Sequence, residues 1–203
     1  NGYFIQYDGQ FEAQQSASRT IFWLSLLSLI GMFTALHIHF KSTVLAIQIM
    51  LVIPLALIGA VAGIHLTGGV LSVATMIGFV TLAGIAARNG IMMISHYLHL
   101  MKYENEKFDL QMLIRGTNER LVPVLMTALT AALALLPLVL AGNEPGKEIL
   151  HPVAVVILSG LCSSTLLNLL VTPLIFWRFS RKTIGKLLPN ALETAELKTP
   201  QTN

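Results

Sequence analysis

Two polar residues in the middle of a long apolar stretch are the first candidates for chemistry in this sequence. Arg88 and Asn89 lie within Gly78 to Tyr97, a stretch rich in small residues and long enough to cross a bilayer. A charge near the bilayer centre is costly, so such residues usually face a protein interior or a water-filled cavity. Two interpretations remain: Arg88 meets a polar partner inside a helix bundle, or it extends to the headgroups near one membrane face.

A second polar set opens a later apolar stretch. Arg120 begins it, Thr127 follows on the same helical face, and Thr130 lies one turn further. Arg88, Arg120 and Thr127 could therefore belong to one polar network inside a membrane bundle. The alternative for both threonines is a hydroxyl group that donates to a carbonyl of its own helix, which is common.

The apolar stretches contain no aspartate or glutamate. A proton-coupled transporter needs a group whose charge changes, usually a carboxylate or a histidine. Arginine stays protonated under all ordinary conditions. Arg88 and Arg120 can therefore tune or gate a proton site, but the group that takes up the proton must lie elsewhere.

Histidines and methionines indicate no resident metal. The pairs His37/His39 and His96/His99 offer two imidazoles each, which alone make a weak site, and interfacial positions account for them. The eight methionines could bind a soft metal, but methionine more often fills irregular gaps in a bundle. The sequence has no nucleophile–base pair, HExxH motif, phosphate-binding loop or nucleic-acid motif. We predict no enzyme activity, catalytic residue, cofactor or nucleic-acid partner.

Composition places these residues in a membrane protein. Of the 203 residues, 54% are hydrophobic and 11% charged, and the mean hydropathy is +0.71; a soluble domain is nearer a quarter charged. The predicted fold is all-α, with transmembrane helices at about 20–36, 44–66, 71–96, 121–140 and 152–176. Residues 20–182 form the bundle, residues 1–19 are the short polar remnant of an outer domain, and residues 183–203 are a polar tail.

The connecting segments carry predictions of their own. Residues 3–7 are interpreted as a short strand, Asp8-Gly9 as a turn, and residues 12–19 as a helical lead-in. Residues 37–41 are predicted to be a tight loop. Residues 99–120 are predicted to be a charged loop that contains an amphipathic surface helix.

Small residues at helical spacing predict where helices approach closely. Gly59 and Gly63 form a GxxxG pair, and Gly160 and Ser164 form a similar pair in the fifth span. The third span is rich in small residues throughout. The residues to which we assign helix packing are Gly59, Gly63, Gly84, Gly90, Gly160 and Ser164.

The distribution of cations predicts the orientation of the chain. One side of the predicted bundle carries Lys41, Lys102, Lys107, Arg115, Arg120, Arg178, Arg181, Lys182 and Lys186, whereas the other carries only Arg19 and Lys147. Cytoplasmic loops hold the excess of lysine and arginine in membrane proteins. The N-terminus is therefore predicted to lie outside and the C-terminus in the cytoplasm.

An ordered set of short motifs resembles a known family. The set comprises Gly9 to Glu12, Pro54 to Gly59, Gly78-Phe79, Leu82 to Ala86, Asn89-Gly90, Arg120, Pro123, Leu125 to Leu129, Gly146 to Pro152, Ser163 to Thr165 and Pro173. Over roughly residues 1–180 the sequence is similar to the C-terminal membrane part of resistance-nodulation-division (RND) efflux pumps, above all the heavy-metal cation branch. The five spans resemble the last five of that family's twelve transmembrane helices.

The resemblance implies a function and a set of partners. It implies a homotrimer in a bacterial inner membrane that exchanges protons for exported cations and works with a periplasmic adaptor and an outer-membrane channel. Arg88 matches the family's basic relay position and Asn89 its usual neighbour, while Arg120 and Thr127 match the relay arginine and threonine. The acidic relay helix belongs to an N-terminal half that this sequence lacks.

Two alternatives remain beside metal export. The metal branch often lacks a cation at the position of Arg88, so a fragment of a drug-exporting RND pump is one alternative. The other is a truncated membrane scaffold that transports nothing. Both share the five-span fold and the lipid bilayer as surroundings.

Overall fold

The computed structural model consists of five successive α-helices. They are α1 (Asp8–Phe40), α2 (Thr43–Leu66), α3 (Val73–Tyr103), α4 (Leu110–Leu140) and α5 (Leu150–Leu187). The structure describes residues 8–68, 72–142, 146 and 149–187, and this part of the chain contains no strand. All five helices are long and apolar enough to cross a membrane. The prediction of an all-α membrane protein with five spans is confirmed.

Three helices form the centre and two lie at the side. Only 6% of the apolar window of α1, and of α4, is buried, against 44% for α2 and for α3 and 50% for α5. Helix α5 packs against α2, α3 and α4, whereas α1 contacts α2 and α3. The outer helices α1 and α4 therefore each leave a long apolar face open in this chain.

Small residues let α2 and α5 approach at backbone distance. A Cβ atom on Gly59 would overlap the side chain of Ser163, and one on Gly63 would overlap Ser159. The Ser163 hydroxyl donates to the carbonyl of Leu55 across this contact, at 3.4 Å. Close approach of this kind supplies van der Waals packing, which drives helix association inside a bilayer.

The other small residues differ in their surroundings. A Cβ atom on Gly160 would overlap the side chain of Leu82, so that α5 and α3 are also in close contact. Gly90 faces α2, and Ser164 is buried within α5. Gly84 is different, because nothing lies within 4 Å of the position its Cβ would take.

The described helices extend further than the apolar spans predicted. The predicted turn at Asp8-Gly9 is wrong, because α1 begins at Asp8. The predicted loop at residues 37–41 is also wrong, since α1 continues to Phe40. Lys41 has a φ of 50° and reverses the chain, and Ser42 then caps α2 by accepting from the backbone N–H of Leu45 at 3.4 Å.

The predicted surface helix is instead the beginning of α4. Helix α3 continues to Tyr103, and α4 begins at Leu110 behind the cap residue Asp109 and passes through Pro123 without a break. In the first turns of α4, Leu113 is buried against the core, whereas Leu110 and Ile114 remain exposed.

The structure describes only part of the two chain ends for which the sequence made predictions. Helix α5 ends at Leu187, beyond the boundary predicted at residue 182. The predicted strand at residues 3–7 and the rest of the polar tail lie outside the described residues.

Helices α3, α4 and α5 pack together around an aromatic cluster. The cluster lies at the end of the bundle that the distribution of cations predicts to be cytoplasmic. The ring of Tyr97 lies 5.0 Å from that of Phe176 in α5, and its hydroxyl is 2.7 Å from that of Thr117 in α4. Gly116 makes room for Tyr97, since a Cβ there would come within 2.9 Å of the ring. This packing sets the rotation of α3 against α4 and so decides which neighbours of Tyr97 face α4.

Candidate functional site

Arg88 and Asn89 point to different surroundings although they are adjacent on α3. Asn89 is buried, with 4% of its surface exposed. Arg88 is exposed and makes no hydrogen bond or ion pair within the described part of the chain. The structure thus places the predicted relay cation on an open face of a spanning helix.

Arg120 lies at the contact between α3 and α4. Its Nη2 is 3.2 Å from Nδ1 of His96, and its Nε is buried without a hydrogen-bond partner in the described structure. His96 is a contact that the sequence analysis did not single out. The sequence gives only their placement: His96 ends one predicted span and Arg120 begins the next, which puts both at the same end of neighbouring helices but does not specify the contact.

The threonines of α4 are bonded within their own helix. The Thr127 hydroxyl donates to the carbonyl of Val124 at 2.9 Å, and that of Thr130 donates to the carbonyl of Met126 at 2.8 Å. Both threonines are exposed. The structure therefore shows the self-bonded alternative, and among the described residues it does not link Thr127 to Arg88 or Arg120 by a hydrogen bond.

A cluster of charges ties the α3–α4 connection to the beginning of α4. Arg115 is its centre: Nη2 lies 2.7 Å from Glu104, Nη1 lies 2.6 Å from Glu106, and Nε lies 2.8 Å from Glu119. The other carboxylate oxygen of Glu119 is 2.8 Å from Nε2 of His96. From the sequence, Arg115 is one of the cations that indicate the orientation of the chain, and its ion pairs with these glutamates were not predicted.

The cluster orders side chains more than it stabilises the fold. The side chains of Arg115 and its glutamates are 36% to 45% exposed, and exposed ion pairs contribute little to stability. The cluster fixes the orientation of the Glu119 carboxylate. One of its oxygens accepts from Arg115, and the other lies within hydrogen-bond distance of His96. Glu119, His96 and Arg120 thereby form a continuous row beside the membrane span.

The other histidines have local contacts. His37 Nδ1 lies 3.3 Å from the hydroxyl of Thr43, and the ring of His39 packs edge-on against Phe40. Within the described ranges, no three or more histidine, cysteine, aspartate or glutamate side chains are grouped as metal ligands.

Comparison with known proteins identifies the family. The model of the AcrB/AcrD/AcrF family matches residues 1–180. Protein HelA of Legionella pneumophila is 37% identical over 179 residues, covering 88% of this chain and 17% of HelA. The cobalt-zinc-cadmium resistance protein CzcA of Cupriavidus metallidurans is 33% identical over 181 residues, covering 89% of this chain and 17% of CzcA.

A solved structure agrees with the fold. A crystal structure of a heavy metal efflux pump superposes with a TM-score of 0.73 and 33% sequence identity, over 85% of this chain and 17% of that one. The chain thus spans about a sixth of the length of these relatives. The resemblance to the RND heavy-metal efflux pumps is confirmed, and the chain belongs to the AcrB/AcrD/AcrF family.

Proposed function

We propose that this chain is the C-terminal membrane part of a proton-driven pump that exports heavy-metal cations. The observation that carries the proposal is the 33% identity, over 89% of the chain, to a protein named for cobalt, zinc and cadmium resistance. A second relative, also 33% identical, is named for nickel and cobalt resistance. The chain acts as a transporter component and not as an enzyme.

The open face of Arg88 supports a proton-coupling role in the assembled pump. An arginine directed at lipid is costly, so a guanidinium with no partner among the described residues favours a carboxylate supplied by another part of the pump. The buried Nε of Arg120, which has no described partner, favours a second such acceptor. In this proposal Arg88, Asn89, Arg120 and Thr127 support the relay, and the acidic residue that takes up the proton lies in the N-terminal part.

The proposed assembly follows the family. The chain lies in a bacterial inner membrane with its N-terminus in the periplasm and its C-terminus in the cytoplasm, in keeping with its loop cations. The partners are two further copies in a homotrimer, the N-terminal part of the pump, a periplasmic adaptor and an outer-membrane channel. The open faces of α1 and α4 support such partners, since 6% of each apolar window is buried.

The test is metal accumulation in cells. The chain is co-expressed with the N-terminal part of CzcA in a metal-sensitive bacterial strain, and cobalt, zinc and cadmium contents are measured with and without a protonophore. We expect lower metal content than in cells with the N-terminal part alone, and we expect the protonophore to abolish the difference. An intact complex that leaves metal content unchanged would favour the scaffold alternative, and protection against drugs only would favour the drug-exporting alternative.

A further inference from the structure

His96 lies between an anion and a cation at the cytoplasmic end of α3. Its Nε2 is 2.8 Å from an oxygen of Glu119, and its Nδ1 is 3.2 Å from Nη2 of Arg120. Its side chain is 12% exposed, so the ring is largely enclosed by its partners. Glu119 and Arg120 are consecutive residues of α4. The position of this one helix relative to α3 therefore determines both the His96–Glu119 and the His96–Arg120 distance.

The chemistry of the two partners specifies the protonation state of the ring. A guanidinium group has only donors, so Nδ1 must offer its lone pair to Arg120 and carry no proton. The remaining proton of a neutral ring then lies on Nε2, from which it donates to the Glu119 carboxylate. The geometry therefore corresponds to neutral His96 in the Nε2–H form.

Protonation of this ring is incompatible with the Arg120 contact. A second proton can bind only at Nδ1, which would turn the acceptor into a donor facing another donor and place two cations side by side. The Glu119 pair would instead gain strength, since the carboxylate would then face an imidazolium. The ring thus has two states, and only the neutral one contacts Arg120.

Few other charged groups act on the ring. On its own helix, the ring of His99 is stacked at a centroid distance of 6.5 Å. On α4, Arg115 acts through the shared carboxylate of Glu119. Helices α1, α2 and α5 contribute no hydrogen bond or ion pair to His96 within the described residues. The balance between the two states is set chiefly by Glu119 and Arg120.

We propose that His96 is a positioning residue that holds the Arg120 guanidinium when neutral and releases it when Nδ1 takes up a proton. The contact itself is a property of this chain. Its meaning for transport rests on the proposed function, in which Arg120 supports the proton relay. His96 then couples the position of the Arg120 guanidinium to the arrival of a proton at the cytoplasmic end.

The contact can be tested on the chain itself by nitrogen NMR of its histidine rings in lipid nanodiscs. In the wild type we expect the Nε2–H form of His96 at alkaline pH. Arg120→Gln removes the cation beside Nδ1, so a second proton should bind the ring more readily than in the wild type. Glu119→Gln removes the anion and should make that protonation less favourable.

Two further variants separate positioning from general structure. Arg120→Lys keeps a cationic donor and should preserve the wild-type form of the ring. His99→Asn removes the stacked neighbour, and the protonation of the His96 ring should change far less than with Arg120→Gln. The resonances of the other histidines report whether each variant keeps its fold, and His96→Gln identifies the His96 signal by its loss.

Clear outcomes would overturn the inference. These are an Nδ1–H form at alkaline pH, or an Arg120→Gln chain that is folded and titrates His96 as the wild type does. Neither measurement depends on transport. An absence of metal export would therefore refute the proposed function and leave the His96 contact standing, and the converse holds equally.

Discussion

The two arginines of the candidate site differ in how their charge is compensated. Arg120 lies 3.2 Å from the ring of His96, whereas Arg88 is exposed and unpaired in the described structure. An arginine close to the membrane end can reach water with its long side chain, but one nearer the bilayer centre needs a partner. Arg88 therefore requires a partner that the described part of this chain does not supply.

Removal of the Arg88 charge should stop transport without affecting folding. In the co-expressed pump we expect Arg88→Ala to abolish metal resistance at unchanged membrane abundance, because the proposed acidic partner would lose its counter-charge. Resistance is measured by growth in cobalt and zinc, and abundance by immunoblot. Arg181→Ala is a matched control, since it removes an exposed arginine near the end of α5. Normal resistance in Arg88→Ala would favour the interpretation that its guanidinium only reaches the headgroups.

The sequence predicted the residue types of the site but not their contacts. Arg88, Asn89, Arg120 and Thr127 were identifiable because a polar residue in an apolar span is unusual. His96 was not, because its contact depends on the rotation of α3 against α4. That rotation follows from the packing of Tyr97 against Gly116 and Phe176, which no local pattern encodes.

At the scale of helices, hydropathy located the spans and underestimated their length. Residues 37–40 and the segment before Leu121 are polar enough to end an apolar run, yet both are helical. Helix hydrogen bonds do not depend on the side chains being apolar, so a helix continues past the membrane surface until a cap or a reversal ends it. The ends lie at Lys41–Ser42 and at Asp109 for that reason.

The close contact between α2 and α5 should make Gly59 intolerant of a side chain. Gly59→Ala places a methyl group onto Ser163, and overpacking of this kind typically costs about 1–3 kcal/mol. Gly84→Ala is the matched control in an open position of α3, and we expect it to leave stability unchanged or to raise it by up to about 1 kcal/mol. The measurement is detergent-induced unfolding of the purified chain followed by circular dichroism. Equal stability of the two variants would contradict the α2–α5 contact.

The connections between helices should alternate across the membrane. Reporter fusions after Lys41, Gly69, Lys107 and Pro145 should report cytoplasm, periplasm, cytoplasm and periplasm in turn, because the cationic connections are retained inside. Paired phosphatase and fluorescent-protein fusions distinguish the two sides. The Lys107 fusion is decisive, since a periplasmic signal there would reverse the orientation of the whole bundle.

At the scale of the whole molecule, the bundle leaves an extensive apolar surface. Helices α1, α2 and α3 border an open groove of about 490 Å³, whose lining includes Ile21, Leu57, Met76 and Gly84. Such faces are stable against lipid tails, so the chain can insert without covering them. Gly84, which the sequence assigned to packing, lines this groove, and no described residue comes within 4 Å of the position its Cβ would take.

The chain expressed alone should therefore insert into the membrane but transport nothing. The five spans predicted from hydropathy contain no carboxylate, since Glu119 lies just before the fourth, and an arginine cannot change its charge in the working pH range. We expect the 203-residue chain to fractionate with the inner membrane and resist alkaline extraction, yet to leave cellular cobalt, zinc and cadmium unchanged. Cells expressing the same chain together with the N-terminal part of CzcA are the positive comparison. Export by the chain alone that a protonophore abolishes would mean that a group within these residues takes up the transported proton, and the histidines at the helix ends would be the first to replace.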